Sequence, residues 1–223
     1  MSNLIVIIVL SYLAGSIPVG LITGKKVANI DIREHGSKSI GATNVKRVLG
    51  LKWGILTLLL DASKGAIAVL LIARLYLGNF PFPNETPFDD FTLVQIIAGL
   101  AAVVGHIWTI FAGFKGGKGI ATALGVLVGI VTIDILVALG VFILVVTISR
   151  YISLGSILAA VAVPVTLFLR ENVFHVDIQS YGTLLPFLIA IALLAIFTHR
   201  KNIGRLLNGE EDKFSFSKKF SNS

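Results

Sequence analysis

Six long apolar stretches, separated by short polar or basic segments, make up most of this chain. They lie at 4–24, 51–77, 91–114, 119–149, 152–169 and 181–198. A helix needs about 17–25 mostly apolar residues to cross the hydrocarbon core of a bilayer, so each stretch can hold at least one span. The chain lacks the long alternating polar and apolar segments of a transmembrane barrel, which favours helices. The pattern predicts an all-α, polytopic integral membrane helical bundle.

The stretch 119–149 decides the number of spans, because its 31 residues suit either one long helix or two short ones. Asp134 is the only charged residue in it, and it marks the point where we expect two short helices to turn. Each of them would hold about 15 residues and would cover roughly 22 Å. Such short spans require a locally thinner bilayer or burial within the bundle.

The basic residues favour two helices in that stretch. With seven spans, 16 of the 19 Lys and Arg residues fall on one side: seven in 25–52, two in 115–118, Arg150, and six after Thr198. The loop 78–90 has neither Lys nor Arg. Because cytoplasmic loops carry the excess of Lys and Arg, we expect seven transmembrane helices, the N-terminus outside and the C-terminus in the cytoplasm.

The composition agrees with a membrane protein. Of the residues, 55% are hydrophobic and 14% are charged, and there is no Cys, whereas soluble domains carry about 25% charged residues. These values exclude a soluble enzyme, a disordered chain and a thiolate site. Residues 1–223 are therefore predicted to form a single membrane domain, with 199–223 as a cytoplasmic tail. The lipid bilayer is the expected partner, and no nucleic acid, metal or cofactor is predicted despite the net charge of +7.

The first cytoplasmic loop has the composition of an anion site. Between Asp31 and Arg47 it gathers small and hydroxyl residues, namely Gly36, Ser37, Ser39, Gly41, Thr43 and Asn44. Such residues expose backbone N–H groups that form concave anion nests. Lys38, Lys46 and Arg47 would add compensating positive charge. The alternative is an ordinary turn whose cations serve only topology.

The second cytoplasmic loop, here called the Gly/Lys loop, is the run Lys115, Gly116, Gly117, Lys118 and Gly119. It leads directly into an apolar segment, and a helix that begins there would offer unpaired N–H groups and a positive dipole end to a phosphate. It is not a nucleotide-binding P-loop, because Lys118 occupies the position of the second glycine. The alternative is a tight turn with two topological lysines.

A third polar segment follows the last span. His199, Asn202 and Arg205 recur at helical spacing and can share one face. Arg205 can bind an anion and His199 can shuttle a proton, although a basic stretch that binds lipid head groups is the alternative. Ser153 faces either this cytoplasmic side or a neighbouring helix.

Polar residues also occur within the spans. Asp61 and Lys64 lie three apart, and we expect a structural ion pair. His106 is either catalytic or a hydrogen-bonded packing residue. Gly125 and Gly129, like Gly20 and Gly24, have the spacing of close helix packing.

Seven spans place all three polar segments on the cytoplasmic side, which predicts a cationic pocket for a phosphorylated small molecule or lipid precursor. A membrane transporter of a phosphorylated metabolite is the second hypothesis. It predicts basic residues on the outer side, and the loop 78–90 has none. A purely structural lipid-binding protein would not explain the Gly/Lys loop.

The order of these motifs resembles the acyl-phosphate-dependent glycerol-3-phosphate acyltransferase (PlsY) family of bacteria over nearly the whole chain. The motifs are Gly15-Ser-Ile-Pro18, Gly36-Ser37, Gly41-Ala-Thr-Asn44 with Arg47, Asp61-x-x-Lys64-Gly65, Gly105-His106, Phe114-Lys-Gly-Gly-Lys-Gly119, Ser153 to Ser156, and His199-x-x-Asn-Ile-x-Arg205 with Gly209, Glu211 and Lys213. Two positions depart from the family pattern. Lys38-Ser39 replaces Gly-Asn, and Thr109 replaces a Pro.

The resemblance implies transfer of a fatty acyl group from acyl phosphate to the 1-hydroxyl of glycerol 3-phosphate, giving lysophosphatidate and phosphate. The catalytic residues are then predicted to be Ser37, Arg47, Lys118 and His199. The predicted substrate-binding residues are Lys38, Gly41, Thr43, Asn44, Lys115, Gly116, Gly117, Gly119, Ser153, Asn202 and Arg205. The general base is either His199 or a substrate phosphate oxygen. The resemblance also implies the bacterial inner membrane, an active site that faces the cytoplasm, and a functional link to a soluble enzyme that makes acyl phosphate.

Overall fold

The protein is seen in a computed structural model that describes residues 3–78, 88–211 and 213. Within those residues the regular structure is helical and no strand occurs, which confirms the predicted all-α class. The α-helices are Asn3–Ser16 (α1), Val19–Ala28 (α2), Ala42–Leu49 (α3), Leu51–Leu70 (α4), Asp90–Ile107 (α5), Ile120–Ile130 (α6), Thr132–Ser149 (α7), Ile152–Asn172 (α8), Tyr181–Thr198 (α9) and Arg200–Leu207 (α10). Short 3-10 helices occupy Ile32–Glu34, Ile72–Leu75 and Ile110–Ala112.

Six helical segments of the described chain are long and apolar enough to cross a membrane. They are Asn3–Ala28, Leu51–Leu75, Asp90–Ala112, Thr132–Ser149, Ile152–Asn172 and Tyr181–Thr198. Helix α6 is also apolar but has only 11 residues, so its axis is roughly 17 Å long.

The ambiguous stretch divides into two helices, α6 and α7, as the charge distribution favours. The position of the break was predicted wrongly, because α6 ends before Val131 and not at Asp134. Asp134 lies in the first turn of α7, where the positive end of the helix dipole favours a carboxylate. The helices consequently have 11 and 18 residues rather than two equal lengths.

The first apolar segment bends at Pro18, between α1 and α2. Pro18 has no N–H group and cannot continue the helical hydrogen bonding. The carbonyls just before it find other donors: Ser16 accepts from the Thr109 hydroxyl, and Ile17 accepts from Lys64 Nζ at 3.0 Å. The bend is therefore fixed by side chains from two other helical segments.

Two compact units make up the chain, Met1–Val131 and Thr132–Ser223. In the first unit, α1 packs against α5, and α4 packs against α6. Gly125 and Gly129 confirm their predicted packing role, because a Cβ on Gly125 would collide with the backbone of Ala62 and one on Gly129 with the side chain of Val69.

In the second unit α7 packs on α8, α8 packs on α9, and α10 contacts both α8 and α9. An ion pair joins α7 to α8: Arg170 Nη1 donates to Asp134 Oδ2 at 2.8 Å, and Asp134 is fully buried. A pair in so apolar a setting links the start of one helix to the end of the next. Sequence analysis did not predict it.

Candidate active site

The first loop is organised by Asp31, which caps the N-terminus of the 3-10 helix Ile32–Glu34. Its carboxylate accepts from the backbone N–H of Arg33 at 2.9 Å and from the Arg33 guanidinium, Nε at 3.0 Å and Nη2 at 2.7 Å. These hydrogen bonds lower the pKa of Asp31 to about 2. Arg33 also donates through Nη1 to the carbonyl of Ala112 at 3.3 Å, just before the Gly/Lys loop. Arg33 therefore joins two loops, and its charge is already compensated.

Asn44 closes the first loop on itself. Its side chain is 1% exposed. Oδ1 accepts from the Ser37 N–H at 2.7 Å, and Nδ2 lies 3.1, 3.0 and 2.8 Å from the carbonyls of Ile32, His35 and Ser39. The predicted contact of Asn44 with substrate is therefore not evident in this structure, because its polar atoms are directed into the loop. It shapes the backbone on which Ser37 sits.

The polar side chains around that backbone point outward. Ser37, Lys38, Thr43 and Arg47 are all exposed. The stem of Arg47 lies against the loop, since its Cδ is 3.4 Å from the position that a Cβ on Gly36 would take. Together they present hydroxyls and cations beside an ordered backbone, as an anion site requires.

Lys38 has a left-handed backbone, with φ of +58°. Only a few per cent of residues other than glycine adopt positive φ, so the position suits glycine best. The Gly that the resemblance implies at this position would suit this conformation. In this chain the same turn carries an additional cation.

The Gly/Lys loop folds back onto the end of α5. Gly116 N donates to the Ile107 carbonyl and Gly117 N to the His106 carbonyl, each at 3.0 Å. A Cβ on Gly116 would collide with the His106 carbonyl, so glycine is required for this approach. Gly119 has φ of +77° and precedes the first residue of α6. Lys115 and Lys118 remain exposed.

The two loops meet around a cavity of about 460 Å³. Its lining residues are Asp31, Arg33, Glu34, Lys38, Ile40, Lys115 and Gly116. Three predicted substrate-binding residues, Lys38, Lys115 and Gly116, thus share one cavity. The other exposed cations of these loops, Lys46, Arg47 and Lys118, are not among the residues that line it.

A buried polar cluster lies behind the Gly/Lys loop. Lys64 Nζ is 2.7 Å from Asp61 Oδ1, which confirms the predicted ion pair. Lys64 Nζ is also 3.1 Å from Nδ1 of His106. The three side chains are 2%, 5% and 4% exposed for Asp61, Lys64 and His106. His106 is therefore a buried, hydrogen-bonded residue, which the sequence left as one of two alternatives.

The third polar segment lies in the second unit. His199 stands between α9 and α10, and its Nδ1 is 2.8 Å from the carbonyl of Ala195. A carbonyl only accepts hydrogen bonds, so Nδ1 carries the hydrogen. When the ring is neutral, Nε2 is left as a proton acceptor, as a general base requires.

Glu211 gathers the remaining predicted residues of this segment. Asn202 Nδ2 donates to Oε1 at 2.8 Å, and Arg205 Nε donates to Oε2 at 2.7 Å. The pKa of Glu211 is lowered to about 2, first by Asn202, then by the Ser153 hydroxyl and by Arg205. Glu211 was part of the motif that carries the resemblance, but its hydrogen bonds with Asn202 and Arg205 could be recognised only in the structure. Arg205 keeps a side chain that is 46% exposed, and its other N–H groups can reach an anion.

Two of the three predicted segments thus meet within Met1–Val131, and the third forms its own cluster within Thr132–Ser223. Among residues 3–78, 88–211 and 213, no three His, Asp or Glu side chains are grouped as a metal site would require.

Apolar helices of membrane-spanning length, with exposed cations on ordered loops, define the class as a helical integral membrane protein suited to anionic ligands. A family model described as glycerol-3-phosphate acyltransferase matches residues 5–209. The chain belongs to this family and is an acyltransferase, which decides against the transporter hypothesis.

Relatives and solved structures agree with the family. Proteins named glycerol-3-phosphate acyltransferase from Chlorobaculum tepidum and Chlorobaculum parvum are 43% and 42% identical, over 98% of this chain and 100% of each relative. Two crystal structures of PlsY (YgiH), an integral membrane glycerol 3-phosphate acyltransferase, are 35% and 34% identical. Their TM-scores are 0.66 and 0.67, and 96% of each chain is covered. The first is the glycerol 3-phosphate form and the second is the lysophosphatidic acid form.

Proposed function

We propose that this protein transfers a fatty acyl group from acyl phosphate to the 1-hydroxyl of glycerol 3-phosphate, releasing lysophosphatidate and inorganic phosphate. The observation that carries the proposal is the meeting of the first loop and the Gly/Lys loop around a cavity with Lys38 and Lys115 in its lining. Both substrates bring a phosphate, and a pair of cationic loops can hold two phosphates close together. A soluble enzyme that makes acyl phosphate would supply the donor.

The proposal includes the topology. Residues 1–223 form one membrane domain of seven spans in the bacterial inner membrane, with the N-terminus outside and 199–223 as a cytoplasmic tail. The separation of α6 from α7 supports an odd number of spans, because a single helix there would put the basic tail outside. All three polar segments then face the cytoplasm, where phosphorylated substrates are available.

The chemistry is a displacement at the acyl carbonyl carbon. The 1-hydroxyl oxygen bonds to that carbon, the bond from the carbon to the bridging oxygen breaks, and phosphate leaves with the bonding electrons. Acyl phosphate is already an activated mixed anhydride, so correct positioning can supply much of the rate. Arg47, Lys115 and Lys118 reduce the repulsion between the two phosphates and stabilise negative charge on the leaving group and on the carbonyl oxygen.

The other residues hold and orient the substrates. The hydroxyls of Ser37 and Thr43 are exposed beside the loop backbone and bind phosphate or orient the acceptor hydroxyl. The hydroxyl proton passes to Nε2 of His199 or to a substrate phosphate oxygen. Asn202 and Arg205, held by Glu211, contribute donors on the second unit.

The test uses purified full-length protein in detergent, mixed with palmitoyl phosphate and glycerol 3-phosphate. We expect lysophosphatidate and phosphate in equal amounts, and no phosphate release when glycerol 3-phosphate is omitted. Palmitoyl-coenzyme A and palmitoyl-acyl carrier protein serve as matched alternative donors. Activity with either of these, and none with palmitoyl phosphate, would refute the proposed donor.

A further inference from the structure

Lys64 has three N–H groups and three acceptors around it. Its Nζ lies 2.7 Å from Asp61 Oδ1, 3.0 Å from the Ile17 carbonyl and 3.1 Å from His106 Nδ1. An ammonium group donates hydrogen bonds and accepts none. His106 Nδ1 must therefore accept, and the ring hydrogen lies on Nε2. Lys64, which is 5% exposed, therefore has one ion-pair partner and two hydrogen-bond acceptors around its Nζ.

The other side of the His106 ring faces the Gly/Lys loop. A Cβ built on Gly117 would collide with Nε2 of His106, so the ring edge lies directly against the Gly117 backbone. The main chain makes a second contact in the same place, because Gly117 N donates to the His106 carbonyl at 3.0 Å. The loop therefore rests on a residue whose ring orientation is set by Lys64.

The same lysine holds the bend between α1 and α2. The Ile17 carbonyl precedes Pro18 and accepts from Lys64 Nζ. One buried cation thus connects the bend, α4, the end of α5 and, through His106, the Gly/Lys loop. Because close-packed interiors transmit strain, we expect a change at Lys64 to displace the loop backbone.

We propose that Lys64 and His106 are positioning residues for acyl transfer, which hold the Gly/Lys loop in the shape that presents Lys115 and Lys118 to phosphate. Neither residue touches substrate in this account. The inference rests on the proposed function for its effect on catalysis, but the contact of His106 with Gly117 is independent of any reaction.

The first test removes the charges of the pair together. Lys64→Met alone would leave the Asp61 carboxylate buried without its cation, which strongly destabilises a protein. The double variant Asp61→Asn with Lys64→Met keeps the site neutral and nearly the same size. We expect kcat to fall roughly 100-fold, since a shift of about 1 Å in a positioning element has that effect. The KM for glycerol 3-phosphate should change much less than kcat. The single variant Lys64→Arg keeps a cation beside Asp61 and should retain more of kcat than the neutral double variant.

The second test is a double-mutant cycle between His106 and Gly117, with kcat as the measured quantity. Gly117→Ala should lower kcat about 100-fold, because its methyl group displaces the ring or the loop. His106→Ala vacates the space, so Gly117→Ala should cost far less in that background. The control is Gly140→Ala, whose methyl group meets open space. Strictly multiplicative losses in the cycle would overturn the proposed contact.

Hydrogen exchange at the Gly116 and Gly117 amides separates this inference from the proposed function. We expect exchange there to become at least about tenfold faster in the neutral double variant, and not in Gly140→Ala. If the wild-type protein shows no acyl transfer from palmitoyl phosphate, the proposed function is refuted, and faster exchange in the neutral variant would still support the role of Lys64 and His106 in holding the Gly/Lys loop. Normal kcat and unchanged exchange in the neutral variant would overturn the inference. If that variant does not fold, the His106 and Gly117 cycle decides alone.

Discussion

Asn44 gives the sharpest prediction for the first loop, because one side chain supports several backbone groups. Asn44→Ala removes the acceptor for the Ser37 N–H and the donor shared among the carbonyls of Ile32, His35 and Ser39. An amide has two hydrogens, so about three hydrogen bonds are lost at about 1 kcal/mol each. We therefore expect a loss of about 3 kcal/mol in the free energy of unfolding.

Asn44→Asp tests the same arrangement with almost no change in shape. It replaces a donor by an oxygen that faces carbonyl oxygens, so it should destabilise the loop at least as much as Asn44→Ala. Both variants should lower kcat roughly 100-fold through misplacement of Ser37. Thermal unfolding in detergent and phosphate release from palmitoyl phosphate measure the two effects. Asn208→Asp, on an exposed side chain, is the control. Normal stability and turnover in Asn44→Ala would refute the reasoning.

Three further predictions follow from charge and backbone geometry. Arg47→Ala and Lys118→Ala should each lower kcat at least about 100-fold with little change in Tm, and near-normal turnover in both would contradict the phosphate-clamp role. Lys38→Gly should raise Tm, because it removes a left-handed lysine backbone that costs about 1 kcal/mol. It should also raise the KM for glycerol 3-phosphate, because it removes a cation from the cavity lining. An unchanged Tm and an unchanged KM would argue against the two effects. The pKa values of Asp31 and Glu211 are lowered to about 2 from 3.8 and 4.5. Their contributions to stability are therefore complete above those ordinary values and lost as the pH falls toward 2. The protection factors of the amides near these two carboxylates, taken relative to the intrinsic exchange rate at each pH, should fall over that interval, and protection that does not change with pH would contradict these ion pairs.

The sequence predicted the features that depend on neighbours along the chain. Apolar length gave the helices, and the spacing of Asp61 and Lys64 gave their ion pair, because residues three apart share a helix face. The charge distribution favoured a break within 119–149. The predicted position was wrong by three residues. Valine is not a helix-breaking residue, so nothing in the sequence marked Val131 as the break, and Asp134 lies in the first turn of α7.

Contacts between distant residues could not be predicted in the same way. His106 is 42 residues from Lys64, and Arg170 is 36 residues from Asp134. No local period relates such positions, and only the packing of helices brings them together. In the sequence, Arg33 contributed only to the number of basic residues that indicate the cytoplasmic side. The structure shows that Asp31, two residues earlier, compensates its charge.

The site residues also fall into those that residue type could predict and those whose role depends on three-dimensional contacts. Residue types predicted an anion-binding loop, and the structure provides the exposed hydroxyls and cations of Ser37, Thr43 and Arg47. The organising roles of Asn44 and Glu211 depend on which backbone or side-chain groups fold back to them. Those roles follow from three-dimensional hydrogen bonding rather than from residue type.

The most direct test of the central claim follows one oxygen atom. Palmitoyl phosphate is labelled with oxygen-18 at the bridging position between carbon and phosphorus, and the products formed with glycerol 3-phosphate are followed by phosphorus NMR. Attack at the acyl carbon predicts that all of the label appears in the inorganic phosphate and none in the lysophosphatidate. Label retained on the fatty acyl group, or the absence of lysophosphatidate, would contradict acyl transfer from acyl phosphate.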